Sequence, residues 1–272
     1  MADAAGPAFF SIDDPDDPRI EAYRDVRERD LVGRQNSFIA EGVVVLRVLL
    51  TRSRFKPVSL LVAENRVDAV RALVEETGST CPVYVASRPV MDRIAGFPIH
   101  RGLLGHGVRD PLPDWRDLLP PRDESALVVV AIGLANHDNV GGIFRNAAAF
   151  GADAVLLDAT SCDPLYRKAI RVSVGGSLLV PFARFDDAEA LSAGLEAAEL
   201  TCLGLATDGT TTLAARPRLR RVAVFLGAEG PGLPASVLER LQTVRIPIAA
   251  GFDSLNVATT SGIVLHHFSK EE

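Results

Sequence analysis

Apolar runs and amphipathic segments alternate through the C-terminal half of the chain. The run 126–132 lacks the polar alternation of a half-exposed strand, which indicates a strand buried on both faces. Strands separated by helices imply a mostly parallel sheet with helices on both faces. The pattern predicts, in order, strand 126–132, helix 140–150, strand 154–157, helix 164–170, strand 178–182, helix 187–198, strands 202–206 and 222–226, helix 234–241, strand 244–248 and helix 255–268.

The N-terminal half shows the same alternation on a smaller scale. It predicts helix 18–31, strand 37–40, helix 43–50, strand 58–63, helix 67–76, strand 83–86, helix 89–95 and a strand near 103–108. This alternation indicates a small α/β domain of about 90 residues.

A proline-rich stretch separates the two halves. Residues 110–124 contain four prolines and mixed charge, which favours extended backbone without regular pairing. We therefore expect a disordered acidic lead at 1–18, a small α/β domain at 19–109, a linker at 110–124 and a second α/β domain at 125–272. Trp115, the single tryptophan, is expected to pin the linker to one of the domains.

Composition is that of a water-soluble globular protein, with 47% hydrophobic and 24% charged residues. No apolar run reaches the roughly 18 residues that a membrane span needs. Residues 1–18 hold five Asp and neither Lys nor Arg, so they resemble neither a signal nor a transit peptide. Three widely spaced cysteines suit reduced thiols, and together these features predict a cytoplasmic protein without a membrane partner.

Charge is sorted along the chain. Residues 19–109 hold fifteen Lys and Arg against ten Asp and Glu, although the whole chain carries a net charge of −6. A basic module within an acidic protein is typical of a domain that faces nucleic acid. The excess is small, and Arg outnumbers Lys 26 to 3, which codon bias explains equally well.

Three short motifs in the C-terminal half carry the candidate chemistry. The first runs from Asn139 to Arg145, the second spans 227–233 (GAEGPGL) and the third runs from 246 to 256 (IPIAAGFDSLN). Each joins a predicted strand to a predicted helix, where α/β proteins place ligands. Asn139 is predicted to cap its helix, whereas Asn256 in a first helical turn suggests a side chain aimed at a ligand.

The motifs offer amides, a carboxylate, a hydroxyl and a guanidinium among glycines. Glycines in the second motif permit positive φ and let bare backbone amides face a ligand. A dinucleotide fingerprint and a Walker motif are absent, which disfavours a nicotinamide-dependent oxidoreductase and nucleotide hydrolysis. The five histidines have no metal-ligand spacing, and no serine-histidine triad is evident.

The residues and the order of the three motifs resemble those of the SpoU (TrmH-like) branch of the SPOUT RNA methyltransferases. Residues 163–177 resemble that family's SPKxxRxSxGA segment, and 38–42 resemble the FxxEG segment of its small RNA-binding domain. Ile248 in place of Met and Gly176 in place of Ala are departures from the family pattern. The resemblance covers 126–268 densely and 36–108 loosely.

The resemblance implies an α/β fold whose C-terminal SPOUT domain, with a mostly parallel sheet, forms a trefoil knot behind the small α/β RNA-binding domain. It also implies a homodimer with the active site near the interface. The expected activity is methyl transfer from S-adenosylmethionine to a ribose 2′-hydroxyl of rRNA or tRNA, without a metal. A non-catalytic RNA-binding protein on the same scaffold is the alternative.

The resemblance also assigns roles to individual residues. It places Arg145 at the centre of 2′-hydroxyl activation. Because a guanidinium is too basic to remove a proton at neutral pH, Arg145 is expected to bind the target phosphate and to stabilise the developing alkoxide. The expected catalytic residues are Asn139, Arg145, Glu229, Ser254 and Asn256. The expected cofactor contacts are Thr207, Gly227, Glu229, Gly230, Ile246, Pro247, Leu255 and Asn256. The expected RNA contacts are Arg47, Arg52, Arg54, Lys56, Lys168 and Arg171, for which solvated helix ends are the alternative.

Overall fold

Two separate β-sheets organise the chain, each within its own unit. The computed structural model describes residues 7–24, 31–32, 36–95 and 102–269. The first unit comprises the chain up to Pro111 together with Leu165–Leu179, and the second comprises Leu112–Pro164 and the chain from Val180 onward.

The first unit contains a five-stranded mixed sheet. The elements of the unit are β1 (Phe9–Ile12), a 3-10 helix (Pro18–Tyr23), β2 (Ser37–Glu41), α1 (Val43–Thr51), β3 (Lys56–Ala63), α2 (Val67–Thr77), β4 (Val83–Ala86), α3 (Arg88–Ala95) and β5 (Leu103–Val108). Strands β1, β4 and β3 run parallel, whereas β5 pairs antiparallel with both β3 and β2, in the order β1-β4-β3-β5-β2.

The N-terminal lead is partly ordered, which corrects the expectation of disorder over 1–18. Residues 9–12 form β1 and pair in parallel with β4. Ile12 is buried in the core of the unit, and Arg71 lies over the ring of Phe9 at 4.4 Å. Apolar and aromatic contacts thus fix this segment to the first unit, although its acidic composition had predicted a disordered chain in solvent. The predicted helix 18–31 is a 3-10 helix over Pro18–Tyr23, and residues 25–30 lie outside the described range.

The second unit contains a seven-stranded sheet in which every strand pair is parallel. Its elements are β6 (Ala126–Ala131), α4 (His137–Ala149), β7 (Ala154–Asp158), β8 (Phe182–Phe185), α7 (Ala188–Ala197), β9 (Thr201–Leu205), β10 (Thr211–Thr212), β11 (Arg221–Leu226), α8 (Ala235–Leu238), β12 (Gln242–Arg245) and α9 (Val257–Phe268). The strand order is β10-β12-β9-β11-β6-β7-β8. The central strands β6 and β11 are buried at every position, which the continuous apolar run 126–132 predicted for β6.

The connection between β7 and β8 belongs to the first unit, although the sequence division kept it within 125–272. It contains α5 (Arg167–Val172) and α6 (Gly176–Leu179). The backbone N–H of Arg54 donates to the carbonyl of Leu178 at 3.0 Å. The prediction of strand 178–182 was wrong, because residues up to 179 close a helical turn and the strand starts at Phe182.

The proline-rich stretch packs against the second unit. Trp115 is 8% exposed within the apolar core of that unit. Arg221, which is also buried, donates to the carbonyls of Pro121 and Glu124 at 2.7 Å each. It also donates to the carbonyls of Pro120 and Ala198 at 3.2 Å each. The guanidinium thus supplies hydrogen-bond donors to four backbone carbonyls in and beside the proline-rich stretch, where prolines disfavour regular backbone pairing.

The three cysteines are free thiols. Burial raises the pKa of Cys162 and of Cys202 to about 12, so both stay protonated at neutral pH. None of the helices within the described ranges is long and apolar enough to cross a membrane.

Candidate functional site

A cavity of about 570 Å³ lies at the carboxyl edge of the second unit's sheet. The loops that follow β9, β11 and β12 form its walls, because parallel strands bring their carboxyl ends to one edge. The volume falls within the roughly 300–1,000 Å³ of small-molecule and cofactor pockets. The lining consists of Leu205, Ala206, Thr207, Asp208, Leu226, Gly227, Ala228, Glu229, Gly230, Pro231, Gly232, Leu233, Leu238, Ile246, Ile248, Ser254, Leu255, Asn256, Val257 and Thr260.

The glycine loop after β11 is a tight turn that closes on itself. The backbone N–H of Gly232 donates to the carbonyl of Ala228 at 3.0 Å. Gly230 and Gly232 have φ angles of +87° and +72°, which favour glycine. Gly227 is needed for a different reason, since a Cβ there would lie 2.2 Å from the carbonyl carbon of Gly232. Backbone packing, and not a positive φ, therefore excludes a side chain at Gly227.

Asn256 joins all three motifs through its side chain. Its Oδ1 accepts from the backbone N–H groups of Ala258 at 2.9 Å and Thr259 at 3.2 Å, so Asn256 is the N-cap of α9. Its Nδ2 donates to Oδ1 of Asn139 and to Oε1 of Glu229, both at 2.9 Å. Because the helix amides take the oxygen, the amide nitrogen must face these two acceptors. Glu229, expected among both the catalytic residues and the cofactor contacts, is therefore linked directly to Asn256.

The first motif lies at the start of α4, but Asn139 does not cap it. Asn136 is the N-cap, and its Oδ1 accepts from the N–H of Asp138 at 2.9 Å. Asn139 is 4% exposed inside the first turn, where it meets Asn256. The N-cap prediction was therefore wrong by three positions, and the buried amide serves the site and not the helix end.

The glycine after this turn lets α4 approach α9 closely. A Cβ on Gly142 would lie 2.6 Å from Cβ of Ala258. One turn further, Nδ2 of Asn146 donates to the carbonyl of Ala258 at 2.7 Å and to Oγ of Ser261 at 2.9 Å. This contact explains why a helix start tolerates a weak helix former, and it holds the first and third motifs together.

The charged groups in the cavity wall are both acidic. Asp208 and Glu229 contribute carboxylates, and the remaining lining residues are neutral. The attraction energy between a carboxylate and a cationic ligand is several times larger in a partly desolvated pocket than in bulk water. The lining therefore suits a ligand with a positively charged centre, held among apolar walls and glycine backbone.

Seven of the eight expected cofactor contacts line this cavity. Pro247 is the exception: it is exposed and lies outside the lining. Ser254 and Asn256, expected as catalytic, also line the cavity. The residues found together are Thr207, Gly227, Glu229, Gly230, Ile246, Leu255 and Asn256.

Arg145 is not brought to the cavity within this chain. It lies on an exposed face of α4, six residues after Asn139. Six residues of α-helix advance about 9 Å and turn the side chain about 120° away from that of Asn139. Within one chain, the structure thus separates the expected guanidinium from the three linked side chains.

In the loop after β9, sequence reasoning identified only Thr207. Leu205, Ala206 and Asp208 line the cavity beside Thr207, and Thr260 lines it from the second turn of α9. The signal available was position alone, because this loop follows a strand that neighbours β11 and so opens at the same sheet edge.

The expected RNA contacts all belong to the first unit, although they come from two distant segments. Arg47 is ion-paired with Glu76, and Nη1 of Arg171 lies 3.7 Å from the buried carboxylate of Glu41. Partial desolvation lowers the pKa of the Arg54 guanidinium. Arg52, Lys56 and Lys168 are exposed.

Metal ligation finds no support in the described part of the chain. Its His, Cys, Asp and Glu side chains form no group of three or more that would hold a metal ion.

The cavity, the glycine turn and the Asn256 bridge are typical of a small-molecule or cofactor site in an α/β protein. Residues 126–266 match the model of the SpoU rRNA methylase family. An uncharacterised tRNA/rRNA methyltransferase of Mycobacterium tuberculosis is 39% identical over 263 residues, which cover 93% of this chain and 89% of the relative. The chain therefore belongs to the SpoU rRNA methylase family.

One further relative and two solved structures are also similar to this chain. The 23S rRNA (guanosine-2′-O-)-methyltransferase RlmB of Escherichia coli is 26% identical, covering 82% of this chain and 94% of RlmB. The AdoMet-bound rRNA methyltransferase of Sinorhizobium meliloti superposes with a TM-score of 0.78 at 23% identity, covering 95% of this chain and 97% of that one. AviRb of Streptomyces viridochromogenes, in complex with AdoMet, gives a TM-score of 0.75 at 20% identity, covering 92% and 94%.

The two structures share the fold, and S-adenosylmethionine is the cofactor of the SpoU methyltransferases. The chain is thus an RNA methyltransferase by family, as the three motifs indicated.

Proposed function

We propose that this protein transfers a methyl group from S-adenosylmethionine to a ribose 2′-hydroxyl of rRNA or tRNA in the cytoplasm. The observation that carries the proposal is the bridge from Asn256 to Asn139 and Glu229, at the edge of a cavity with two carboxylates and no cation in its lining. When bound there, S-adenosylmethionine supplies an activated methyl group on a sulfonium leaving group.

The chain's own residues act by positioning. Gly227 to Gly232 and Leu255 hold the cofactor against bare backbone, while Asp208 and Glu229 favour its positive charge. Holding the acceptor hydroxyl in line with a reacting centre lowers the barrier through orientation. Ser254 lies at the cavity rim, where its hydroxyl is exposed toward an incoming nucleotide.

Arg145 is assigned to the acceptor side of the reaction. A guanidinium stays protonated at neutral pH, so its role is to bind the phosphate next to the target ribose and to stabilise the developing alkoxide. Proton removal is relayed through that phosphate. The exposed position of Arg145 leaves the guanidinium accessible to RNA.

The fold and assembly proposed for the chain follow from its family. We assign a trefoil knot to the C-terminal segment, as the family resemblance implies. We also propose a homodimer in which Arg145 of one protomer serves the cavity of its partner. Arg145 is exposed and absent from the lining of the cavity in its own chain, which supports this arrangement.

RNA selection is assigned to the first unit. Arg52, Arg54, Lys56, Lys168 and Arg171 carry positive charge on two segments that the fold gathers into one unit. Phosphate contacts of this kind produce affinity that falls with salt. We propose that these residues, with Arg47, orient the RNA, while the second unit carries out the transfer.

The decisive experiment measures methyl transfer and cofactor affinity separately. Wild-type protein is incubated with labelled S-adenosylmethionine and unmodified rRNA and tRNA transcripts, and cofactor affinity is measured by calorimetry. Arg145→Ala is expected to lose methyl transfer with cofactor affinity within a few-fold of wild type, whereas Asn256→Ala weakens cofactor binding. Cofactor binding without transfer to any transcript would instead favour the non-catalytic RNA-binding alternative.

A mixing experiment tests the shared site. Arg145→Ala and Asn256→Ala chains are co-expressed, so that mixed dimers combine one intact Arg145 with one intact Asn256. In a two-fold symmetric dimer with composite sites, random mixing restores roughly a quarter of wild-type activity. Activity no higher than that of either variant alone contradicts the composite site.

A further inference from the structure

Phe252 is the large hydrophobic side chain with the greatest exposure among the described residues, at 67%. It lies in the loop 249–253, which runs between Ile248 and Ser254, two residues that line the cavity. The N–H of Phe252 donates to the carbonyl of Ala249 at 3.2 Å, and Gly251 has a φ of +84°, so the loop makes a turn that presents the ring outward.

The position of Phe252 is bounded by the cavity itself. Two residues of extended chain span at most about 7 Å, so the Cα of Phe252 lies within that distance of the Cα of Ser254. Asn256, which bridges the three motifs, follows two residues later. An exposed aromatic ring therefore stands beside the rim where the acceptor nucleotide has to enter.

The loop's neighbouring residues exclude a phosphate contact. Ala249, Ala250 and Gly251 are small, and Asp253 is acidic, so the loop offers an anion no favourable charge. A nucleobase is different, because every base has a π-face that stacks on an aromatic ring irrespective of sequence. The ring matches the base of a nucleotide and not its backbone.

The cofactor is a less suitable occupant of this ring. Phe252 lies outside the cavity lining, whose apolar wall is already supplied by Leu205, Leu238 and Ile246. We propose that Phe252 stacks on an unpaired base of the RNA substrate, at or next to the target nucleotide, and thereby orients the ribose toward the cavity. This inference rests on the proposed methyl transfer to RNA.

The test compares Phe252→Ala, Phe252→Trp and the matched control Phe10→Ala, which removes another exposed phenylalanine from the first unit. Removal of one base-stacking ring corresponds to roughly a 5- to 150-fold loss of affinity. We expect Phe252→Ala to lower kcat/KM for the RNA transcripts within that range and to leave the Kd for S-adenosylmethionine within twofold. Phe252→Trp is expected to restore activity, and Phe10→Ala to resemble wild type.

Three results would overturn the inference. Unchanged kcat/KM in Phe252→Ala excludes stacking on the substrate, a matching loss of S-adenosylmethionine affinity assigns the ring to the cofactor, and a change of oligomeric state assigns it to a second copy of the chain. Failure of wild-type protein to methylate any transcript counts against the proposed function itself.

A photo-crosslink decides the stacking surface independently of turnover. The protein with p-benzoylphenylalanine at position 252 is irradiated with the same rRNA and tRNA transcripts. A protein–RNA crosslink supports the inference even if no methyl transfer is detected. A protein–protein crosslink alone, or none to RNA, contradicts it.

Discussion

The two units of this protein both alternate strands and helices, but their sheets differ in strand direction and in where the candidate functional residues lie. The sheet of the second unit is parallel throughout, and the loops after β9, β11 and β12 converge on one cavity. The sheet of the first unit is mixed, so its strand ends point to both edges. Its candidate RNA contacts lie on helices, on a turn and, for Lys56, at the start of β3.

The polar groups in the two interiors also differ. In the second unit, buried Asn139 accepts from Asn256, and buried Arg221 donates to four backbone carbonyls, although its Nε has no partner. In the first unit, Oγ of Ser37 and Nε2 of His106 are buried without a partner. Both interiors thus contain unpaired polar atoms, and the difference lies at the cavity. There the linked side chains of Asn139, Glu229 and Asn256 give the second unit a fixed geometry, because connected polar groups specify one arrangement.

The largest effect is expected from closing the space at the glycine turn. Gly227→Val places a side chain within 2.2 Å of backbone at Gly232, so the turn cannot form as built. We expect S-adenosylmethionine affinity, measured by calorimetry, to fall by more than about tenfold, since backbone in this turn shapes the cavity. The control is Gly230→Ala, whose Cβ would meet nothing within 4 Å and whose cost is limited to its positive φ. Wild-type affinity in Gly227→Val would refute the fixed geometry.

Next in size is the loss of the buried guanidinium under the proline-rich stretch. Arg221→Leu leaves four backbone carbonyls without their donor. Hydrogen bonds to charged groups predict a decrease of about 2–4 kcal/mol in the free energy of unfolding, measured with urea. Arg220→Ala, at an exposed neighbour, is the control and is expected to change it by less than about 1 kcal/mol. Equal effects would show that burial at Arg221 contributes nothing.

A pH-dependent effect should distinguish the first unit. Burial lowers the pKa of His106 below its ordinary value of 6.5. As pH falls below 6.5, the unfolded chain binds the proton first, so the free energy of unfolding decreases until the folded pKa is reached. Above 6.5 the residue contributes no pH dependence. Urea unfolding of wild type and His106→Gln between pH 5 and 8 checks this, since the variant should lose that part of the slope.

The smallest effect on stability is expected at a surface pair of the first unit. Arg47 and Glu76 form an ion pair in which both side chains are about half exposed. Arg47→Ala should therefore change the free energy of unfolding by about 0–1 kcal/mol. RNA affinity of the same variant, measured at several salt concentrations, gives the sharper readout. A shallower salt slope supports a phosphate contact, and an unchanged slope leaves Arg47 a structural surface residue.

Hydrophobic pattern determined most of the elements and the location of the site. Apolar runs predicted the strands β6 and β11. A strand that is buried on both faces has no solvent-exposed face, so its sequence lacks alternating polar residues. Glycine and asparagine at strand ends marked three loops, of which the second and third line the cavity and the first is linked to it by the hydrogen bond between Asn139 and Asn256. The departures concern local endings: Asn136 caps α4 in place of Asn139, and the strand expected at 178–182 begins only at Phe182.

Long-range packing decided what no local pattern recorded. Leu165–Leu179 joins the first unit because contacts such as Arg54 to Leu178 link residues more than a hundred positions apart. The β1 strand depends on a partner at Val83–Ala86, which the acidic composition of the lead did not reveal. The predicted division of the chain at the proline-rich stretch was based on composition. The two structural units are defined by contacts between residues, which assign Leu165–Leu179 to the first unit.

Residue identity by itself determined which chemical groups are present: the amides of Asn139 and Asn256, the carboxylate of Glu229 and the guanidinium of Arg145. Only the tertiary structure decided which of them meet. Asn256 contacts both Asn139 and Glu229 because a capping amide has one oxygen for the helix and one nitrogen left for acceptors. Arg145 is turned away because helical periodicity places it on another face, and sequence spacing alone does not convey that direction.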